Sequence, residues 1–189
     1  MSGARDHLDH PVLDVIADRW SPRSFDPRPV EADTLASLFE AARWAASCFN
    51  DQPWAWVIVG REDPEFPAAL ACLAEKNREW AKDAGVLAFA CARRDFERNG
   101  KPNRWAAHDV GQADAHLALQ ARSMGLAVHQ MGGFSAERVR ETFGVPEGWD
   151  PLTAMAIAYP AADAVPGPRS RKPQSAFTFR RSWGRPSSR

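Results

Sequence analysis

An excess of charge of either sign is missing from this sequence: 24 Lys and Arg residues balance 24 Asp and Glu residues. The balance removes the positive field that recruits nucleic acid or anionic lipid without specificity, so neither is expected as a partner and any anion site must be local. No apolar run approaches 18 residues, and a membrane-spanning helix is not expected. Cysteine is scarce as well. Cys48, Cys72 and Cys91 are odd in number, widely spaced, and form no C-x-x-C or paired-histidine pattern, which argues against disulfides or structural zinc and for small core residues in a reducing compartment. The opening MSGARDHLDHP lacks the apolar stretch of a signal peptide, so a cytoplasmic location is expected. No G-x-G-x-x-G fingerprint marks a resident dinucleotide.

What is present suits one domain across residues 1–189, since this length supports a full core and is short for two. Periodicity predicts helices at 8–19, at 35–47 (Leu35, Leu38, Phe39, Ala42 and Ala46 recurring), at 65–82 and at 106–124, the last burying Val110, Ala113, Leu117, Ala121 and Met124. β-Branched and aromatic runs predict strands at 54–60, 86–92, 126–131 and 153–159. A short helix between the last two strands starts at Ser135 and stops at Gly144. After Tyr159 the chain turns to Pro, Ala, Gly and Ser, which fits an extended arm over 160–189. Its AFTFRRSWG end needs a place to bury aromatic rings, and a second subunit would provide one.

Five segments carry chemistry. RWSPRSF (19–25) brings Arg19, Trp20, Ser21 and Arg23 into a proline-constrained loop, where two guanidinium groups and a hydroxyl suit a phosphate; a solvated basic loop fits the same residues. AASCFNDQPWAWVIV (45–59) places Ser47, Asn50 and Gln52 at a helix-to-strand junction, with donors and acceptors for a planar heterocycle or for ordinary capping. Asn77 falls on the apolar face of the 65–82 helix together with Leu70, Leu73, Ala74, Trp80, Ala81 and Ala84. A buried amide without a partner costs roughly 1–3 kcal/mol, so it must bond backbone, water or ligand. HQMGGF (129–134) follows Gln130 and Met131 with Gly132 and Gly133, which let backbone N–H groups approach a ligand or simply turn the chain. PRSRKPQ (168–174) puts Arg169 and Arg171 on one side of an extended chain, where they grip one phosphate or lie in solvent. His108, Asp109 and His116 are set aside as structural residues of the long helix, and no catalytic acid, base or metal ligand is assigned.

In this order the segments resemble the nitroreductase family of FMN-dependent NAD(P)H oxidoreductases. The resemblance rests on Arg19, Ser21, Arg23 and Phe25, on Ser47, Asn50, Gln52, Pro53 and Trp54, on Gly133 and Phe134, on Asn77, and on the Arg-x-Arg-x-Pro arm. It implies an α+β fold with a central, mostly antiparallel sheet flanked by helices, and a homodimer with exchanged C-terminal arms and two FMN sites at the interface. It also implies that Arg19, Ser21, Arg169 and Arg171 hold the FMN phosphate, the arm residues coming from the partner. Arg23 and Asn77 would meet the pyrimidine edge, Ser47 and Asn50 would line the ring, and the N–H of Gly132 or its neighbour would reach the flavin N5. Trp80 stands where several relatives carry a lysine, and the short 93–105 segment replaces a helical roof, so the site is expected to be more open or to be roofed by Trp105 and a partner residue.

The function so implied is electron transfer from NADH or NADPH through FMN to a small nitroaromatic, quinone, enone or similar acceptor, in a ping-pong sequence. An FMN-binding storage or sensing module is the alternative, and a cofactor-free scaffold a third. The choice between NADH and NADPH, and the acceptor itself, are left open by these residues.

Overall fold

The computed structural model describes residues 8–186. Six helices and four strands run in the order α1 (Asp14–Asp18), α2 (Ala32–Arg43), β1 (Trp54–Gly60), α3 (Phe66–Ala71), α4 (Glu75–Ala81), β2 (Val86–Arg93), α5 (Ala106–Ser123), β3 (Ala127–Met131), α6 (Ala136–Phe143) and β4 (Trp149–Ala158). The strands form one antiparallel sheet in the order β1-β2-β4-β3, giving the α+β architecture expected.

β2 explains how the sheet is covered. A strand packed on both faces loses the alternation of polar and apolar residues and reads as a continuous apolar run, as VLAFACA does. Val86, Ala88, Ala90 and Ala92 pack with Leu38, Val110, Ala113, Leu117 and Ala121 of α2 and α5. Leu87, Phe89 and Cys91 pack with Ala69, Cys72, Ala81 and Val139 on the other face. β1 and β3 are left as the two edges, and both edges matter below.

Several boundaries differ from the periodicity. The first helix is only Asp14–Asp18, because Ala17 is its one buried residue and no side chain caps its start. α2 stops at Arg43, four residues before Ser47, where Trp44 (φ −84°, ψ 3°) closes the last turn. The expected 65–82 helix is two helices. At the break the backbone pairs with the 133–135 loop instead of continuing a helix: Ala74 N–H donates to Gly133 O at 2.8 Å, and Ser135 N–H donates to Cys72 O at 2.8 Å. β4 begins at Trp149 rather than 153, and a bulge opposite Ala90 and Cys91 accommodates Pro151, which has no N–H for the ladder. Met124 is not on the inner face of α5; it is exposed beyond the helix end, while Val110, Ala113, Leu117 and Ala121 are buried as expected.

α6 is the element in which sequence and structure agree most closely. The Ser135 side chain accepts from Arg138 N–H, and Gly144 ends the helix at φ +64°, a conformation costly for any residue with a Cβ. Cys72 and Cys91 are buried core residues, and Cys48 is half-buried. Among the described residues no helix is long and apolar enough to cross a membrane. Most of the N-terminal stretch read for a signal peptide lies outside the described residues.

Candidate functional site at the two sheet edges

The 19–25 loop is tied to the free edge of β3. Phe25 bridges Pro160, Asp26 N–H donates to Tyr159 O, and Ala161 N–H donates to Ser24 O, so the loop is pinned beside the end of β4. From β3, His129 Nδ1 lies 2.8 Å from Pro22 O. A carbonyl only accepts, so Nδ1 carries the proton and Nε2 is left as an acceptor. Burial lowers the His129 pKa, and Arg23 and Arg19 lower it further against the raising effect of the Pro22 bond, so the ring is held neutral. Its face stacks on Trp80 at 4.4 Å between centroids, with the Arg23 guanidinium 5.8 Å from the Trp80 ring centre. Trp80 is thus part of the wall next to Arg23. His129 was not singled out from the sequence, although its place in a strand directly before the Gly-Gly turn was a usable signal.

At the end of this loop three guanidinium groups converge. Arg169 donates to Arg19 O at 2.6 Å and to Ala17 O, closing the C-terminal end of α1. Arg19 Nη1 lies 3.3 Å from Ser21 Oγ. Burial, then the charges of Arg169 and Arg171, push the Arg19 pKa down, which is the signature of cations gathered without an anion between them. A cavity of about 440 Å³ is lined here by Arg19, Trp20, Ser21, Arg169, Ser170 and Arg171 together with 166–168. Within the single chain the arm residues reach Arg19 of their own chain. The Ala161–Ser24 pairing explains it, because it delivers the arm beside the loop with eight residues left to reach Arg169.

Further along the same edge, Asn77 is half-buried and its Nδ2 donates to Gly133 O at 3.0 Å, so the amide is satisfied by backbone on one side. A Cβ at Gly133 would lie 2.7 Å from that Nδ2, whereas a Cβ at Gly132 would meet nothing within 4 Å. A side chain at Gly133 would push the Asn77 amide aside, whereas Gly132 faces open space. Gln130 is exposed and its amide reaches Asp114 O at 3.4 Å. The Met131 side chain is buried in the core with Phe89 and Ala154, which leaves its backbone as the part available to a ligand.

Ser47, Asn50 and Gln52 are elsewhere, at the foot of β1. Phe49, Asn50 and Gln52 have φ of 57°, 56° and 47°, and three non-glycine residues in the left-handed region are costly, of order 1–3 kcal/mol each. The turn is held by fixed bonds: Ser47 Oγ accepts from Gln52 N–H at 3.0 Å, and Cys48 N–H donates to Asp109 Oδ2 at 2.9 Å. Asp109, set aside in the sequence, is 2% exposed and anchors this junction to α5. Its spacing with Ala106, Val110 and Ala113 places it on the apolar face, which is the signal that was available. Asp51 is also committed, to Arg93 at 3.1 Å and to Glu97 N–H at 3.1 Å.

The expected site residues therefore fall into two groups. Arg19, Trp20, Ser21, Arg23, Asn77, Gln130, Gly132, Gly133, Arg169 and Arg171 follow the β3 edge, and Ser47, Asn50 and Gln52 lie at the β1 edge. Two strands intervene, a separation of roughly 14 Å across the sheet.

The profile of the Nitroreductase family matches residues 16–73 and 64–159, and the chain belongs to that family. It is 37% identical over 148 residues to an uncharacterized 15.4 kDa protein of Mycolicibacterium smegmatis, covering 68% of this chain and 97% of that protein. It is 22% identical over 209 residues to the major NAD(P)H-flavin oxidoreductase of Aliivibrio fischeri, covering 87% and 96% of the two chains. A crystal structure of an oxidoreductase containing FMN superposes with a TM-score of 0.90 at 30% identity, covering 98% of this chain and 99% of the other.

Proposed function

We propose that the chain is an FMN-dependent oxidoreductase that takes electrons from NAD(P)H and passes them to a small organic acceptor by a ping-pong sequence. The observation that carries this reading is the convergence of Arg19, Arg169 and Arg171 around one cavity with Ser21, where no carboxylate among the described residues pairs with them. Forked donors gathered at one point suit a terminal phosphate. The β3 edge beyond it has the features a flavin needs, since Gly132 leaves its N–H unobstructed and Arg23 brings a fixed positive charge. Asn77 spends its Nδ2 on Gly133 O, so its free Oδ1 is an acceptor and suits a ring N–H.

FMN held there by Arg19, Ser21, Arg169 and Arg171 would supply two-electron redox chemistry between NAD(P)H and a nitroaromatic, quinone, enone or similar acceptor. The chain binds, orients and excludes water, and no side chain is assigned as acid or base. Two edges of one sheet cannot meet around one ring, so the Ser47–Gln52 junction serves the flavin held on the β3 edge of a second copy. Exposed apolar residues favour such a homodimer: Leu13 (70%), Trp44 (73%) and, on the arm, Phe177 (59%) and Trp183 (90%). Anaerobic mixing of the yellow protein with NADH and NADPH tests the activity. Rapid bleaching followed by re-oxidation on addition of a quinone is expected; protein that stays yellow through many minutes with both nucleotides is a storage or sensing module instead.

A further inference from the structure

The 93–105 segment contains five cations and two anions in a chain whose charges balance as a whole. It folds as a hairpin, with Asp95 bridging Pro102 and Phe96 N–H donating to Lys101 O at 2.8 Å around the turn at Gly100. Its first two cations are consumed: Arg93 pairs with Asp51 and Glu97, and Arg94 pairs with Asp150. Arg98, Lys101 and Arg104 are exposed and have no carboxylate partner among the described residues. Two of them lie on aromatic rings instead, Arg98 at 3.9 Å from the Phe49 ring centre and Arg104 at 4.6 Å from that of Trp105. Stacking orders a guanidinium while leaving its edge N–H groups free to donate.

The two buried side-chain atoms without a partner among the described residues, Arg93 Nε and Asn103 Nδ2, are both donors and both belong to this segment. Phe49 meanwhile is 70% exposed and held at φ +57°, an arrangement that costs backbone strain and hides little apolar surface. An exposed flat ring under an unpaired guanidinium, with Arg104 on Trp105 repeating the pairing in the same segment, is the complement of a purine carrying a phosphate. Three cations on one hairpin match a single phosphomonoester and give no track for a polynucleotide.

We propose that this hairpin, with Phe49 and Trp105, binds the adenosine 2′-phosphate end of NADPH and selects it over NADH. The inference rests on the flavin reading above, in which the adjoining Ser47–Gln52 junction lines the ring that the nicotinamide must reach. Arg98 and Arg104 take the phosphate, Lys101 adds charge at the tip, and the ring faces of Phe49 and Trp105 receive the adenine. The FMN phosphate is not a competitor for these groups, since the Arg19 cluster lies at the other edge of the sheet.

Isothermal titration of the purified protein with 2′,5′-ADP and with 5′-AMP tests the assignment without turnover, on yellow or colourless protein alike. At least tenfold tighter binding of 2′,5′-ADP is expected, and the ratio should fall to near one in an Arg98→Ala, Arg104→Ala double variant and recover in part with Arg98→Lys, Arg104→Lys. The ratio of kcat/KM for NADPH over NADH should fall by the same factor in the Ala variant. Equal binding of the two nucleotides to the unmodified protein, or an unchanged ratio in the Ala variant, overturns the proposal. Flavin absorbance reports the FMN reading separately, so failure of the one is not mistaken for failure of the other.

Discussion

Asp114 shows how one buried carboxylate couples this fold to pH. It is 2% exposed on α5, accepts from Trp56 Nε1 at 3.0 Å, and has its pKa pushed up to about 6 from 3.8 by burial, the Trp56 bond opposing only in part. Between those two values the folded state holds a proton that the unfolded chain has released, so stability falls as pH rises from about 4 to about 6 and stays low above it. The shift corresponds to a cost on the order of 2–3 kcal/mol at neutral pH. Asp114→Asn keeps an acceptor for Trp56 and removes the charge. Thermal melts should show Tm raised by roughly 4–10 °C at pH 7.5, a much smaller gain at pH 4, and loss of this pH-dependent step. An unchanged Tm at both pH values would show that the carboxylate is solvated in the folded protein. Asp109, equally buried, is spent differently: it accepts from the backbone of Cys48 and fixes the junction that carries Asn50.

Among the elements, the arm is the one with the clearest consequence. Arg169 closes the end of α1 through Arg19 O and Ala17 O and completes the cavity with Arg171. Truncation after Gly167 should therefore leave the sheet folded, as far-UV circular dichroism would report, while flavin co-purifying with the protein falls at least tenfold. Full flavin content in the truncated chain would place the phosphate somewhere else. The elements were readable from the sequence where one local cause decides them, as with Ser135 and Gly144 at the ends of α6 or the doubly buried β2. They were misread where a distant partner decides. The break after Ala71 depends on backbone pairing with the 133–135 loop, and the end of α2 precedes a junction anchored to Asp109, 61 residues from Cys48. The candidate site followed the same rule: the arginines and glycines stood out by type and spacing, but His129 and Asp109 acquire their roles only when β3 meets the 19–25 loop and α5 meets the β1 junction.

Across the whole molecule, an open groove of about 500 Å³, lined by Ala36, Glu40, Ala41, Trp44 and Gln120, lies between α2 and α5, away from both groups of site residues. Together with exposed Leu13, just before α1, and Ile16 on it, the groove forms an apolar face that the proposed homodimer would cover, bringing the β1 junction of one chain to the β3 edge of the other. In the proposed function the Arg19, Arg169 and Arg171 cluster holds the phosphate of a flavin. Fluorescence titration of flavin-stripped protein with FMN and with riboflavin, which differ only in that phosphate, tests this role. Each charge-assisted bond is worth about 1.5–3 kcal/mol, so FMN should bind at least a hundredfold more tightly than riboflavin, and Arg19→Ala should narrow the gap about tenfold to a hundredfold. Equal affinity for the two flavins, or a gap that Arg19→Ala leaves untouched, would contradict the account.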